Sequence, residues 1–174
     1  MQVPVCAIVG AGPGNGASFA RQFSRAGYKV ALLARGQEGL ATLTQEITGT
    51  RAYAYDATDP ADAARVFARI QEELGPPQTL IYNASTREFG DIDATSPEDF
   101  AQAWRVNAYG CLLAAQQVIP AMRAAGSGSI IIIGATASLK SAAGFLAFAS
   151  AKAVQRTADA FRPPQACSLP DPKA

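Results

Sequence analysis

Two stretches of this 174-residue chain carry the residue types best suited to chemistry: the loop IVGAGPGNGASFA (residues 8–20) and the LLAR segment that ends on Arg35. A glycine-rich turn between an apolar run and a helical pattern lets main-chain N–H groups approach a pyrophosphate. The N-terminus of the helix that follows adds partial positive charge. Two registers fit the loop. Gly12, Gly14 and Ala17 read as GxGxxG/A, whereas Gly10, Gly14 and Gly16 read as GxxxGxG, with Asn15 enclosed between the last two glycines. Both point to a dinucleotide. At the end of the LLAR segment an acidic residue would bind ribose hydroxyls, but Ala34 and Arg35 stand there. An arginine suits a 2′-phosphate, so NADP(H) is favoured over NAD(H).

Composition removes several alternatives. There is no histidine, which excludes His-based acid–base chemistry, a Ser-His-Asp triad and the commonest zinc sites. The three cysteines, Cys6, Cys111 and Cys167, are too widely spaced for a CxxC metal site or a disulfide framework, and suit a reducing, cytoplasmic setting. A formal net charge of +1 favours neither nucleic acid nor an anionic membrane as partner. No apolar run is long enough for a membrane span, and the N-terminus lacks a signal-peptide pattern.

The elements that must position these residues alternate along the chain. Strands are expected at 3–10, 29–34, 51–56, 78–84 and 128–135, and helices at 15–27, 37–48, 59–74, 96–126 and about 145–161. Asp59-Pro60 and Ser96-Pro97 are good helix starts, Gly27 is a stop signal, and Pro120 predicts a kink late in the long fourth helix. The β-branched run at 130–133 suits a strand buried on both faces. The order βαβαβαβαβα predicts an α/β fold, a Rossmann-type doubly wound parallel sheet with helices on both faces. Residues 1–161 form this domain, and the proline-rich 162–174 reads as a disordered tail.

With these elements in place, five motifs fall in order, and the chain resembles the short-chain dehydrogenase/reductase (SDR) superfamily over residues 3 to about 160. Gly10, Gly14 and Gly16 match the family's GxxxGxG loop, although Val9 precedes it where the family usually has Thr. DATD (56–59) resembles the family's Asp after the third strand, which implies that Asp56, with Ala57 beside it, contacts the adenine. YNAS (82–85) is similar to a drifted NNAG motif and keeps Asn83 and Ala84. VNAYG (106–110) resembles the segment with the active-site Asn, at Asn107. FASAK (148–152) stands where the family has YxxxK, with Lys152 in place.

The resemblance implies hydride transfer between NAD(P)(H) and a small carbonyl or alcohol substrate. In the family, Tyr passes the proton, Lys lowers the Tyr pKa and holds the ribose hydroxyls, Ser orients the substrate and Asn supports a water relay. Here the Tyr position is Phe148 and the Ser position, thirteen residues upstream, is Ala135. Asn107 and Lys152 remain. Thr136, Ser138, Ser141 and Ser150 lie nearby and are expected to bond the backbone rather than carry a proton. Tyr82 and Tyr109 are expected to pack, and Phe145 and Phe148 to line the nicotinamide side of the cleft or the helix core. The resemblance also implies further strands after the fifth and a loop over the substrate, so the chain reads as a C-terminally truncated family member. Its fifth strand would then be an apolar sheet edge that invites association, including a homo-oligomer, or aggregation; either a partner chain covers it or the isolated product is only marginally stable. The expectation is an NADP(H)-binding protein of SDR type with a degenerate tetrad; the alternatives are a catalytically inactive pseudo-enzyme and a non-functional truncated product.

Overall fold

The computed structural model describes residues 3–86 and 89–157. The end of the last expected helix, the tail 162–174 and Cys167 lie outside the described residues. Five strands, β1 (Val5–Val9), β2 (Lys29–Ala34), β3 (Thr50–Ala54), β4 (Thr79–Tyr82) and β5 (Ser129–Ile132), form one parallel sheet in the order β3-β2-β1-β4-β5. The helices are α1 (Asn15–Arg25), α2 (Gln37–Glu46), α3 (Pro60–Glu73), α4 (Pro97–Trp104), α5 (Gly110–Ala124) and α6 (Leu146–Arg156).

Alternation along β1 explains the two layers of helices. Val5, Ala7 and Val9 face a core shared with Ala63, Val66, Phe67 and Ile70 of α3 and Leu113, Ala114 and Val118 of α5. Cys6 and Ile8 face the other side, with Ala17 and Ala20 of α1 and Leu40 and Leu43 of α2. β1 is buried along its whole length, as the central strand of a doubly wound sheet must be. The chain leaves β1 towards β2 on one side and returns through β4 on the other. That reversal opens a crevice beyond the carboxyl ends of β1 and β4.

Caps form where the sequence places them. The Asp59 carboxylate accepts from the N–H groups of Ala61 and Asp62, and Ser96 Oγ accepts from Asp99 N–H at 3.0 Å. The expected single helix over 96–126 is instead divided. Between α4 and α5, residues Arg105–Tyr109 form a π-helical turn, and Pro120 stays inside α5 without ending it. The Tyr82 hydroxyl supplies the cause, since it reaches from β4 to the carbonyl of Val106. A carbonyl pulled towards a buried phenol is withdrawn from its helical partner, which favours the wider turn.

The fifth strand also differs from expectation. β5 is shorter than 128–135 and is not buried on both faces: Ile130 and Ile132 are half-buried, while Ile131 is 41% exposed. Among the described residues it is an edge strand, with β4 as its only partner, and the face that carries Ile131 is partly open.

Candidate functional site

The crevice at the ends of β1 and β4 has a volume of about 660 Å³. Its lining includes Gly10, Gly12, Arg35, Asp56, Asn83 and Ala84. Ala57 and Val106 contribute further wall, as does Tyr55, whose hydroxyl is buried without a partner. The loop after β1 is anchored on both sides. The N–H groups of Gly10 and Ala11 donate to the Leu33 carbonyl, at 2.8 and 3.1 Å, and Asn83 Nδ2 donates to the Gly10 carbonyl at 2.8 Å.

The glycines divide into two kinds, and this decides between the two registers. Gly10 has φ +85°, and a Cβ there would lie 2.5 Å from the amide nitrogen of Ala84. A Cβ on Gly16 would lie 2.8 Å from both the Ala11 Cα and the Gly10 carbonyl. These two positions exclude side chains so that loop, strand and helix can touch. Gly12 and Gly14 have nothing within 4 Å of the Cβ position. Gly14 is the N-cap of α1, whose first turn has no side-chain cap. Close-approach glycines at 10 and 16 around a bare Gly14 match the GxxxGxG reading. In the GxGxxG/A alternative, the last position is Ala17, which is fully buried. Gly14 and Asn15 are exposed and, like Gly16, stand next to the crevice rather than in its wall.

Arg35 lines the crevice from the exposed end of β2, across from Asp56. Asp56 Oδ1 accepts from Thr58 N–H at 2.9 Å and Thr58 Oγ1 at 2.8 Å. The Thr58 amide bond is the main cause that holds this carboxyl below its usual range, and the Arg35 charge acts in the same direction. Asp56 is therefore an ionised acceptor at neutral pH.

The second group of expected residues lies apart from that wall. Asn107 sits in the π-helical turn, fully buried; its Nδ2 donates to the Ala103 carbonyl at 2.9 Å, and its Oδ1 is buried with no partner among the described residues. Lys152 is buried in α6, which packs on α4 through Ala103, Ala147 and Ala151. Alanines at these contacts let the helices approach closely enough to cover a lysine. Lys152 Nζ donates to the Ile133 carbonyl at 2.9 Å and to Gln155 Oε1 at 2.8 Å. Burial pulls the ammonium pKa down to about 8. Phe148 lies one turn earlier on α6, and its ring centroid is 6.0 Å from Lys152 Nζ. Ala135 is half-buried and starts a 3₁₀ turn, Thr136–Ser138, that has no side-chain cap. Of the nearby hydroxyls expected to bond the backbone, Ser141 Oγ does so, to Ala142 O at 3.4 Å.

Sequence reasoning missed three participants. Gln155 holds Lys152, and its signal was a polar residue in an otherwise apolar helix stripe. Phe89 stacks edge-on against Phe145 and Phe148, at 5.1 and 6.3 Å between centroids, because Gly90 pairs with Phe145 in an isolated parallel bridge. Tyr55 walls the crevice from the end of β3. Tyr82 and Tyr109 pack as expected, the latter stacked on Trp104 at 5.8 Å. Among the described residues, no helix is long and apolar enough to cross a membrane, and no group of His, Cys, Asp or Glu could hold a metal ion.

With this geometry in view, the similarities to known proteins become informative. Residues 4–160 match the family model described as short chain dehydrogenase. The chain is 27% identical over 149 residues to human 3-oxoacyl-[acyl-carrier-protein] reductase, covering 85% of this chain and 63% of that protein. It is 31% identical over 160 residues to the 2-(R)-hydroxypropyl-CoM dehydrogenase of Xanthobacter autotrophicus, covering 85% of this chain and 62% of that one. Among solved structures, a gluconate 5-dehydrogenase from Burkholderia cenocepacia, in complex with NADP and tartrate, superposes with a TM-score of 0.82 at 26% identity. That match covers 90% of this chain and 63% of the other. The chain thus spans a little over three fifths of the length of these relatives.

Proposed function

The chain belongs to the short-chain dehydrogenase/reductase family, and from that premise we propose that it binds NADP(H) in the crevice at the ends of β1 and β4. Proteins of this family are oxidoreductases that bind NAD(P)(H). The observation that carries the proposal is the division of the glycine loop. Gly10 and Gly16 close the loop onto β4 and α1, and Gly12 and Gly14 leave bare backbone. A side chain at Gly12, which lines the crevice, would enter the space in which phosphates would meet main-chain N–H groups, and Gly14 borders that space. The uncapped start of α1 supplies unpaired donors at the same end.

The remaining assignments follow the lining. Asp56 and Ala57 would face the adenine, Asn83 and Ala84 the nucleotide bridge, and Arg35 a 2′-phosphate. The arginine at the end of β2 supports NADP(H) over NAD(H). The Burkholderia gluconate 5-dehydrogenase, an NADP complex, supports the same preference by similarity. Lys152 and Asn107 belong to the nicotinamide side of the site.

When bound, the cofactor supplies hydride exchange with a carbonyl or alcohol carbon. The chain's part is to orient that exchange and to move the accompanying proton, and here the site is poor. Phe148 fills the place of a proton-bearing phenol with a ring that has no ionisable hydrogen, and Ala135 offers no hydroxyl to a developing alkoxide. A missing positioned acid–base group removes roughly 10²–10⁴ in rate. We read the chain as a nucleotide-binding member whose hydride chemistry is slow. The second reading, a pseudo-enzyme, is favoured by the way Lys152 is tied to Ile133 and Gln155.

The test is a titration of the purified protein with NADPH and with NADH, followed by nicotinamide fluorescence and calorimetry. One-to-one saturable binding, tighter for NADPH, is expected; no saturable binding of either would overturn the proposal. Turnover over a panel of ketones and aldehydes then separates a slow enzyme from an inactive binder.

A further inference from the structure

Ala147, Ala151 and Gln155 recur at i, i+4 and i+8 along α6 and form one inward-facing stripe. The alanines pack against Ala103. Gln155 continues the stripe at 3% exposure, where an aliphatic side chain would pack without any polar atom to satisfy. The glutamine is not neutral there, because its Nε2 is buried and, among the described residues, unpartnered. Its contact with Lys152 is the return for that cost.

An ammonium group has three donors and no acceptor, so a buried lysine needs oxygen atoms around it. Lys152, also 3% exposed, has two among the described residues: Ile133 O at 2.9 Å and Gln155 Oε1 at 2.8 Å. Because the ammonium only donates, the amide must turn its oxygen to it, which is what leaves Nε2 orphaned. Phe148, one turn back, can offer nothing but a ring face. We propose that Gln155 is a positioning residue: together with the Ile133 carbonyl, it holds the Lys152 ammonium at the end of β5, in place of the hydroxyl that position 148 lacks. The clamp leaves a third N–H of Lys152 for a ligand. Its meaning for cofactor binding rests on the function proposed above, but the clamp itself does not.

The charge on Lys152 reports the clamp, because an acceptor bonded to the ammonium favours the protonated form. Among the groups packed around it, Cys111 of α5 is the titratable one that acts on it, and burial raises that thiol to about 12. Glu98 and Asp99 on α4 and Arg105 in the π-helical turn are exposed. The chain has four lysines, Lys29, Lys140, Lys152 and Lys173, so NMR of lysine-labelled protein resolves each ammonium, with Lys152→Arg to assign the signal.

Gln155→Leu should lower the Lys152 titration midpoint by about one pH unit. Gln155→Glu keeps an oxygen and adds a charge, and should raise the midpoint above the wild-type value. A Lys152 midpoint unmoved by Gln155→Leu, with the other lysine signals in place, overturns the proposal. If Gln155→Leu does not fold, Gln155→Glu decides, and no rise overturns it. NADPH titration of the wild-type protein keeps the two claims apart: absent binding defeats the proposed function and leaves the clamp standing, while saturable binding with an unmoved midpoint defeats the clamp alone.

Discussion

The Lys152 ammonium lies 6.0 Å from the centroid of the Phe148 ring and donates not to that residue but to the Ile133 backbone carbonyl and to Gln155 Oε1. The two residues keep the sequence spacing of the YxxxK motif that the family resemblance implies, without its phenol. A lysine beside a phenol would lower the phenol's pKa; beside a phenyl ring, it must find its acceptors elsewhere.

If this layout is intact apart from its hydroxyls, returning them should return activity. Phe148→Tyr with Ala135→Ser is expected to raise NADPH-dependent reduction of a ketone panel by up to roughly 10²–10⁴ over the wild-type protein. Initial rates at saturating NADPH measure it. A double variant that binds NADPH and shows no gain would count against the match of positions 135 and 148 to the family's Ser and Tyr.

Arg35 should govern the choice between the two cofactors. Replacing it with Asp removes a cation from the crevice wall and sets an anion near the expected 2′-phosphate. A charge-assisted hydrogen bond contributes about 1.5–3 kcal/mol, so NADPH affinity should fall at least about tenfold while NADH affinity holds or improves. Parallel calorimetric titrations check this. An unchanged NADPH-to-NADH ratio would remove the arginine from the argument.

How much of this was legible beforehand can be judged residue by residue. The strand–helix alternation and the Asp59 and Ser96 caps are local signals, and the structure carries them; Arg35 was read from the end of a strand, Asp56 and Asn83 came from the family resemblance, and all three line the crevice. Residue spacing alone left the two glycine registers open, since both share Gly14, and only the family resemblance favoured GxxxGxG. The approaches of Ala84 to Gly10 and of Ala11 to Gly16 fit GxxxGxG, and the first of them joins residues far apart in sequence. The π-helical turn escaped for the same reason: its cause, Tyr82 on Val106, joins two distant elements. The run at 130–133 misled because β-branched residues mark a strand but do not say how many layers cover it. Gln155 stood out only as a polar residue in an otherwise apolar stripe, and the helix pattern does not reveal that it turns inward onto Lys152.

The two kinds of glycine should separate folding from binding. Gly10→Ala places a Cβ 2.5 Å from the Ala84 amide nitrogen at a φ of +85°, and Gly16→Ala meets backbone at 2.8 Å. Both should lower the thermal midpoint, each by a loss of about 1–3 kcal/mol or more from overpacking and backbone strain. Gly12→Ala meets nothing within 4 Å and should leave the midpoint unchanged, yet weaken NADPH binding. Thermal melts with and without NADPH test the split. A Gly12→Ala protein that binds NADPH as tightly as the wild type would place the phosphates elsewhere.

The other edge of the sheet should respond to acid. Glu73 at the end of α3 accepts from Arg69 at 2.7 Å, from Arg51 of β3 at 2.8 Å and from the Tyr53 hydroxyl of β3 at 2.9 Å. The bonds from Arg69, Arg51 and Tyr53 hold its carboxyl at about 2, below the ordinary 4.5. A carboxyl depressed in the folded state binds its proton more readily when unfolded. Its stabilisation is therefore complete above pH 4.5 and fades as the pH falls towards 2. Glu73→Gln should lower the thermal midpoint at pH 7, and the gap to wild type should narrow steadily between pH 4.5 and 2. High salt should narrow it as well, because these charges are partly open to solvent. A gap that is constant across that range would mean that the three donors bind a neutral oxygen equally well, and that packing rather than charge joins β3 to α3.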